Sequence, residues 1–336
     1  MSPQVWRAIA VGFGIACAAD ATSAQTTLKM ASFVPPTSIS VKQVLEPWAA
    51  AVEQDAGGDI KIQAYWGGSL GRDPFKQYSL VTDGVTDIGF VQAEYSSGQF
   101  PDDTLFELPY FVHSAEEGSI AKWRMYKMGL LRGYDDIKVI GVFTTSLLAI
   151  HARKPFNSAA DLKGLKIRAS GKAAIDYIKL IGAVPVAIPI TEVTEAISRG
   201  TVDGLITNPD ALITFRIHNV VEHHFVAPLG TVTFIIPMNK KAWEGLSAKA
   251  KAAVDKHGGE TFARMAGKVY DNGDQLAVEK LKAEPKRTVK IESAADEEKS
   301  RAMMKPIFDQ WIASTPDGRK KFDTAIKILA DIRAGK

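Results

Sequence analysis

Apolar positions alternate with polar ones over short stretches, then recur every three or four residues, and this switch of period repeats down most of the chain. Leu28-Lys29-Met30-Ala31-Ser32 predicts a strand that stops before Pro35-Pro36. Val41, Val44, Leu45, Trp48 and Val52 then follow at helical spacing; Pro47 is expected to kink that helix and Gly57-Gly58 to end it. Ile60, Ile62, Ala64 and Trp66 alternate and predict a second strand. A short helix over 75–81 and a strand over 87–91 come next. The near-continuous apolar run 137–143 reads as a strand buried on both faces, as in a parallel sheet.

The middle of the chain repeats the alternation. A strand over 165–168 precedes Ile175, Ile178 and Ile181, which mark a helix stopped by Gly182. Residues 184–188 predict a strand, 191–198 a helix closed by Gly200, and 204–206 another strand. From Ser247 the pattern turns helical: 247–284 reads as one long helix loosened at Gly258-Gly259. Phe322, Ala325, Ile326 and Leu329 define a terminal amphipathic helix. Strands alternating with helices imply an α/β fold with largely parallel sheets. At 336 residues the chain exceeds one compact core, so two domains are expected. No flexible linker separates them, which predicts ordered crossings rather than a tether.

Composition narrows the function classes. The chain is 46% hydrophobic and 24% charged, as ordinary globular proteins are. The net charge of +3 comes from 41 basic and 38 acidic residues scattered throughout. No basic stripe interleaved with aromatics offers a nucleic-acid surface. The first 24 residues read as an export leader: Arg7 is basic, Ala8 to Ala19 are mostly apolar, and Thr22-Ser23-Ala24 suits cleavage. The only cysteine, Cys17, lies within it, and Gly14 stands where a lipidation motif needs a large aliphatic residue. Cleavage after Ala24 would leave a periplasmic chain without thiol chemistry.

Chemical motifs are sparse. There is no P-loop, no HExxH, no GxSxG and no paired-cysteine zinc site, so neither a cofactor nor a metal is expected. Gly67-Gly68-Ser69-Leu70-Gly71 lacks dinucleotide-loop spacing and reads as a turn. His218 and Glu222 would share a face if helical, beside His223 and His224, but a polar helix end accounts for them equally well. Arg168 carries more. It ends an apolar strand, where parallel-sheet proteins place ligands, and a guanidinium matches a carboxylate bidentately. Pairing with a surface acid is the alternative for it.

At this arginine the chain resembles a known family. Lys154-Pro155 and Asp161-Leu162-Lys163-Gly164-Leu165-Lys166-Ile167-Arg168 resemble the signature of solute-binding proteins of tripartite ATP-independent periplasmic (TRAP) transporters, of the dicarboxylate and sialic-acid-binding type. Gly182-Ala183-Val184-Pro185, Glu192-Val193 and Gly200-Thr201-Val202-Asp203-Gly204 continue the match, as do Leu70-Gly71, Asp83-Gly84 and Leu108-Pro109-Tyr110. The resemblance implies a two-lobed clamshell. Lobe I would comprise 25–147 and 233–271, and lobe II 148–232 and 272–336, with the helix over about 247–284 bridging them. It implies a monomer that captures a small organic carboxylate on Arg168 and delivers it to small and large membrane subunits.

Further residues are carried over from the resemblance. Asp73 and either Thr207 or Asn208 match polar pocket positions of sialic-acid-binding relatives. Gln92 stands for their glutamate, Phe33 for an asparagine, Leu148 for a second arginine and Ile190 for a phenylalanine. Losing the second arginine disfavours a second anionic group, because a buried unpaired charge is costly. The expected ligand is therefore a monocarboxylate with an apolar or aromatic tail, with sugar acids as the alternative. A periplasmic hydrolase or lyase using Arg168 to hold its substrate would need an acid/base pair that no motif supplies. A binding component that signals to a receptor fits the same pattern.

Overall fold

The computed structural model describes residues 25–336; the expected leader and Cys17 lie outside the described residues. Among the described residues two six-stranded sheets form, and each holds its own stretches of chain. The first contains β1 (Thr26–Ala31), β2 (Ile60–Tyr65), β3 (Ile88–Gly89), β4 (Val91–Gln92) and β5 (Ile137–Thr144). The second contains β6 (Ala149–Ala152), β7 (Lys166–Ala169), β8 (Val184–Ala187), β9 (Gly204–Thr207) and β10 (His223–Val226). The chain then returns to the first sheet as β11 (Thr233–Asn239) and finishes the second as β12 (Thr288–Ile291).

Both sheets are mixed rather than largely parallel. β1 runs parallel to β2 and β3, but β11 is antiparallel to β3, β4 and β5. β7 runs parallel to β8 and β9, and β12 parallel to β10, whereas β6 is antiparallel to both β9 and β10. This corrects the reading of 137–143. β5 is buried on both faces because helices cover it, not because its neighbours are parallel.

The helices are α1 (Glu46–Ala56), α2 (Gln77–Thr82), α3 (Ala115–Lys127), α4 (Lys172–Leu180), α5 (Val193–Ser198) and α6 (Pro209–Thr214). They continue as α7 (Lys240–Glu244), α8 (Ala248–His257), α9 (Gly259–Ala283), α10 (Ala294–Met303), α11 (Lys305–Ser314) and α12 (Gly318–Arg333). Pro47 does not kink α1. It lies in its first turn, where a missing N–H is tolerated, and a π-helical turn over Ser40–Leu45 precedes it.

The expected single helix over 247–284 is two. A Cβ on Gly258 would lie 2.7 Å from Ile140 O and 2.9 Å from Val254 O, and Gly259 has φ +66°, so the chain turns sharply against β5. Beyond the break, α9 packs on α3 and β5 of the first sheet and on α6 and β12 of the second. Two acids one turn apart serve the two sides. Asp271 accepts from Ala115 N and Glu116 N at 2.7 and 3.0 Å, and Asp274 accepts from Asp210 N at 3.3 Å. α9 thus caps a helix on each side.

The other crossings form one ribbon. β5 pairs with β11 and β6 with β10, and between them Thr145 N donates to Val232 O and Leu148 N to Gly230 O, both at 2.8 Å. The last helix, assigned to lobe II on sequence grounds, packs on α3, with Arg333 donating to Glu117 at 2.7 and 2.8 Å. Within it Ile326 faces out at 45% exposure, while Ala325, Ile328 and Leu329 are buried.

Candidate functional site

Arg168 stands on β7, where Ile167 and Ala169 are likewise buried, and is itself 2% exposed. Its Nε donates to Ile188 O at 2.8 Å and its Nη2 to the Tyr95 hydroxyl at 3.0 Å. The same hydroxyl accepts from Ile190 N at 2.9 Å. Tyr95 lies in the 3-10 turn Ala93–Ser96 after β4, so it reaches from the first sheet's side to two residues of the second. These bonds orient the guanidinium and leave Nη1 and part of Nη2 free to donate. A permanently charged group this buried, with donors to spare, needs an anion to complete it.

Those donors border a cavity. Phe33, Val34, Ile190, Phe215, Val232 and Phe234 give it apolar walls; Gln92, Ser170, Thr207, Asn208, Asp210 and Tyr270 add polar groups. Phe33 packs edge-on to Tyr95 with centroids 6.4 Å apart, and Phe234 stacks on Phe143 at 5.1 Å, so these walls are held from behind. Asn208 Nδ2 is buried with no hydrogen-bond partner among the described residues. An unpaired buried donor is costly unless something binds there.

The sequence-derived residues divide. Phe33, Gln92, Arg168, Ile190, Thr207 and Asn208 all line this cavity, so the choice between Thr207 and Asn208 dissolves into both. Leu148 does not; it is buried in the crossing ribbon, bonded through its backbone to Gly230 and Leu229. Asp73 does not reach it either. Its side chain is exposed and accepts from Phe75 N at 2.9 Å, capping a short turn beside an open groove. Sequence reasoning missed Tyr95, Asp210, Phe234 and Tyr270, which are far apart in the chain and carry no local motif.

Two buried networks support the site. Thr207 O accepts from His151 Nε2 at 3.1 Å, and His151 Nδ1 meets His224 Nδ1 at 2.9 Å. Burial drives the pKa of both histidines down, His224 to about 4, so both are neutral at pH 7. With His151 donating to the carbonyl, its Nδ1 must accept from His224. The helix face expected to carry His218 and Glu222 does not form: His218 occupies a 3-10 turn and donates from Nδ1 to Leu212 O at 3.0 Å, Glu222 precedes β10, and His223 and His224 lie on β10. On the other side, Lys122 is fully buried, 2.6 Å from Asp103 and 3.2 Å from Phe234 O. Burial raises Glu94 and Glu107, which crowd the backbone of Gly171 at the start of α4.

The profile of the family described as bacterial extracellular solute-binding protein, family 7, matches residues 30–315. A TRAP solute-binding protein from Rhodoferax ferrireducens, solved in complex with copurified benzoate, is 28% identical with a TM-score of 0.87. It covers 91% of this chain and 98% of its own. A marine-metagenome TRAP solute-binding protein specific for aromatic acid ligands, solved with 3-hydroxybenzoate, is 29% identical, also with a TM-score of 0.87, over 92% and 99%. The outer membrane transporter protein TsaT of Comamonas testosteroni is 27% identical over 73% of this chain and 74% of its own. The two-sheet architecture bridged by α9 is the architecture of these binding proteins. The chain belongs to the bacterial extracellular solute-binding proteins of family 7 and is a TRAP-type transport component, not an enzyme.

Proposed function

We propose that this chain captures an aromatic or otherwise apolar-tailed monocarboxylate outside the cytoplasm, holding the carboxylate on Arg168 while the two lobes close around the tail. One observation carries the reading. Arg168 presents unused, buried donors to a cavity that holds no second arginine or lysine and is walled by Phe33, Ile190, Phe215 and Phe234. One carboxylate matches the guanidinium, and the ring or branched chain gains about 25 cal/mol per Å² buried against those walls. Asn208, which lines the same cavity with Nδ2 buried and unpartnered, supports a second polar contact to the ligand. The aromatic acids in two similar binding proteins point the same way.

Residues 1–24 act as the cleaved leader, and the closed monomer hands its ligand to the small and large membrane subunits. The test is calorimetry with benzoate, benzoylformate, succinate and galacturonate. The expected result is binding of the first two alone. Tight binding of succinate or galacturonate, without response to the aromatic acids, would overturn the assignment.

A further inference from the structure

Asp210 follows Asn208-Pro209 in the first turn of α6 and lines the same cavity as Arg168 at only 9% exposure. Thr214 Oγ1 donates to its Oδ2 at 3.3 Å, and no described residue donates to Oδ1. Its backbone N–H turns away, to Asp274 Oδ1 on α9. The backbone therefore secures the helix, and the carboxyl is left over.

Burial pushes the Asp210 carboxyl up to about 6, eased only by the Thr214 hydroxyl. Arg168, on β7, and Asp210, on α6, border the same cavity without forming an ion pair among the described residues. One cavity thus offers a cation and an acceptor as two separate polar contacts. Tyr270, whose hydroxyl is 2.7 Å from Ser40 Oγ, lines the cavity as well.

We infer that Asp210 is a specificity residue, selecting carboxylates that carry a hydroxyl remote from the group held by Arg168. This rests on the aromatic-acid reading above and makes hydroxylated aromatic acids the preferred ligands. A ligand hydroxyl donates to Oδ1 and satisfies it. An unsubstituted ring leaves that oxygen facing hydrocarbon, and a second carboxylate sets anion against anion. A site built to hydrogen-bond one group rejects analogues lacking it far more strongly than an apolar pocket rejects an added group.

Calorimetry with benzoate, 3-hydroxybenzoate, 4-hydroxybenzoate and terephthalate tests this on the wild type, Asp210→Asn and Asp210→Ala. Circular dichroism verifies that both variants fold. The wild type is expected to bind at least one hydroxybenzoate about tenfold or more tighter than benzoate, a charge-assisted hydrogen bond's worth, and to reject terephthalate. Asp210→Ala should bring the two classes within about threefold. Asp210→Asn, which keeps an acceptor but no charge, should retain part of the preference and admit terephthalate more readily. Equal or tighter binding of benzoate by the wild type would overturn the inference, as would a preference that survives in Asp210→Ala. Benzoate affinity unchanged in Arg168→Ala would sink the clamp alone, since the hydroxyl preference is read from a ratio. No response of the wild type to any of the four overturns both.

Discussion

The Tyr95 hydroxyl accepts from Arg168 Nη2 at 3.0 Å, so a residue beside the first sheet holds the arginine of the second. Tyr95→Phe keeps the ring that packs on Phe75 and Phe33 but removes the acceptor for both Arg168 and Ile190 N. Losing a hydrogen bond to a charged group costs about 1.5–3 kcal/mol, so affinity should fall roughly ten- to a hundredfold while the protein still folds. Unchanged titrations for Tyr95→Phe would mean that the arginine is oriented without it.

Arg168→Ala should weaken carboxylate binding by ~2–5 kcal/mol, the usual cost of removing one partner of a buried charge pair. Arg168→Lys should recover little, because an ammonium cannot keep the bonds to Ile188 O and Tyr95 while presenting a bidentate fork. Calorimetry on both variants checks this. A lysine variant at wild-type affinity would exclude bidentate binding.

Arg168 was legible because a charged residue ending an apolar strand is anomalous by itself, and a resemblance spanning much of the chain agreed. Gln92, Ile190 and Thr207 followed from that resemblance. Tyr95 and Asp210 did not, since their importance lies in what they face, and nothing near them in sequence records that. The strands β6, β10, β11 and β12 escaped notice for related reasons. β12 is an edge strand in which only Val289 is partly buried, so no apolar run marks it, and β11 is apolar on both faces and has Pro237 inside it. Pro237 sits where the register with β5 shifts, which is how the ladder tolerates it.

Lys122 and Asp103 are 0% and 1% exposed, with burial lowering the lysine's pKa against the pull of Asp103. Lys122→Met should destabilise the fold by about 3–5 kcal/mol, because it strands a buried carboxylate. Adding Asp103→Asn should return part of that loss. Denaturant titration of the single and double variants measures both, and additive losses would show that the two groups do not act as a pair.

Asp274 is pushed up to about 8 by burial, eased by the Asp210 N–H, and raised further by the neighbouring Asp210 and Asp271. A folded-state pKa above the ordinary 3.8 means that the folded state binds the proton more tightly. This group's stabilisation is complete below pH ~4 and is lost as pH rises through about 8. His224, lowered to about 4, acts in the opposite direction between about 4 and 6.5, and Glu94, Glu107 and Asp210 are also raised, so the difference between variant and wild type above pH 6.5 isolates the acid. Asp274→Asn mimics the protonated form and keeps an acceptor for Asp210 N. Its melting temperature should gain on the wild type from pH 6.5 to 9. Parallel melting curves across that range would place the Asp274 pKa elsewhere.

Closure of the lobes is the remaining expectation. Few groups join the two sheets across the cleft near Arg168: Tyr95 bonds Arg168 and Ile190, and Glu94 and Glu107 press on Gly171. The covalent crossings, by contrast, include a narrow two-stranded ribbon and α9, and the chain returns to α3 through α12. Gly230 in that ribbon has φ +95°, and a Cβ there would lie 2.0 Å from Glu107 O, so the ribbon runs tightly beside the same contact region. A ligand bound between Arg168 and the Phe33 and Phe234 walls touches both sides and adds its contacts only when they are together. Scattering with saturating aromatic acid should therefore give a smaller radius of gyration than without it. Tyr95→Phe should shift the free protein toward the larger value, because it removes bonds that join the two sides. Identical radii for free and bound protein would mean that the lobes meet without ligand, and affinity would then follow the pocket alone.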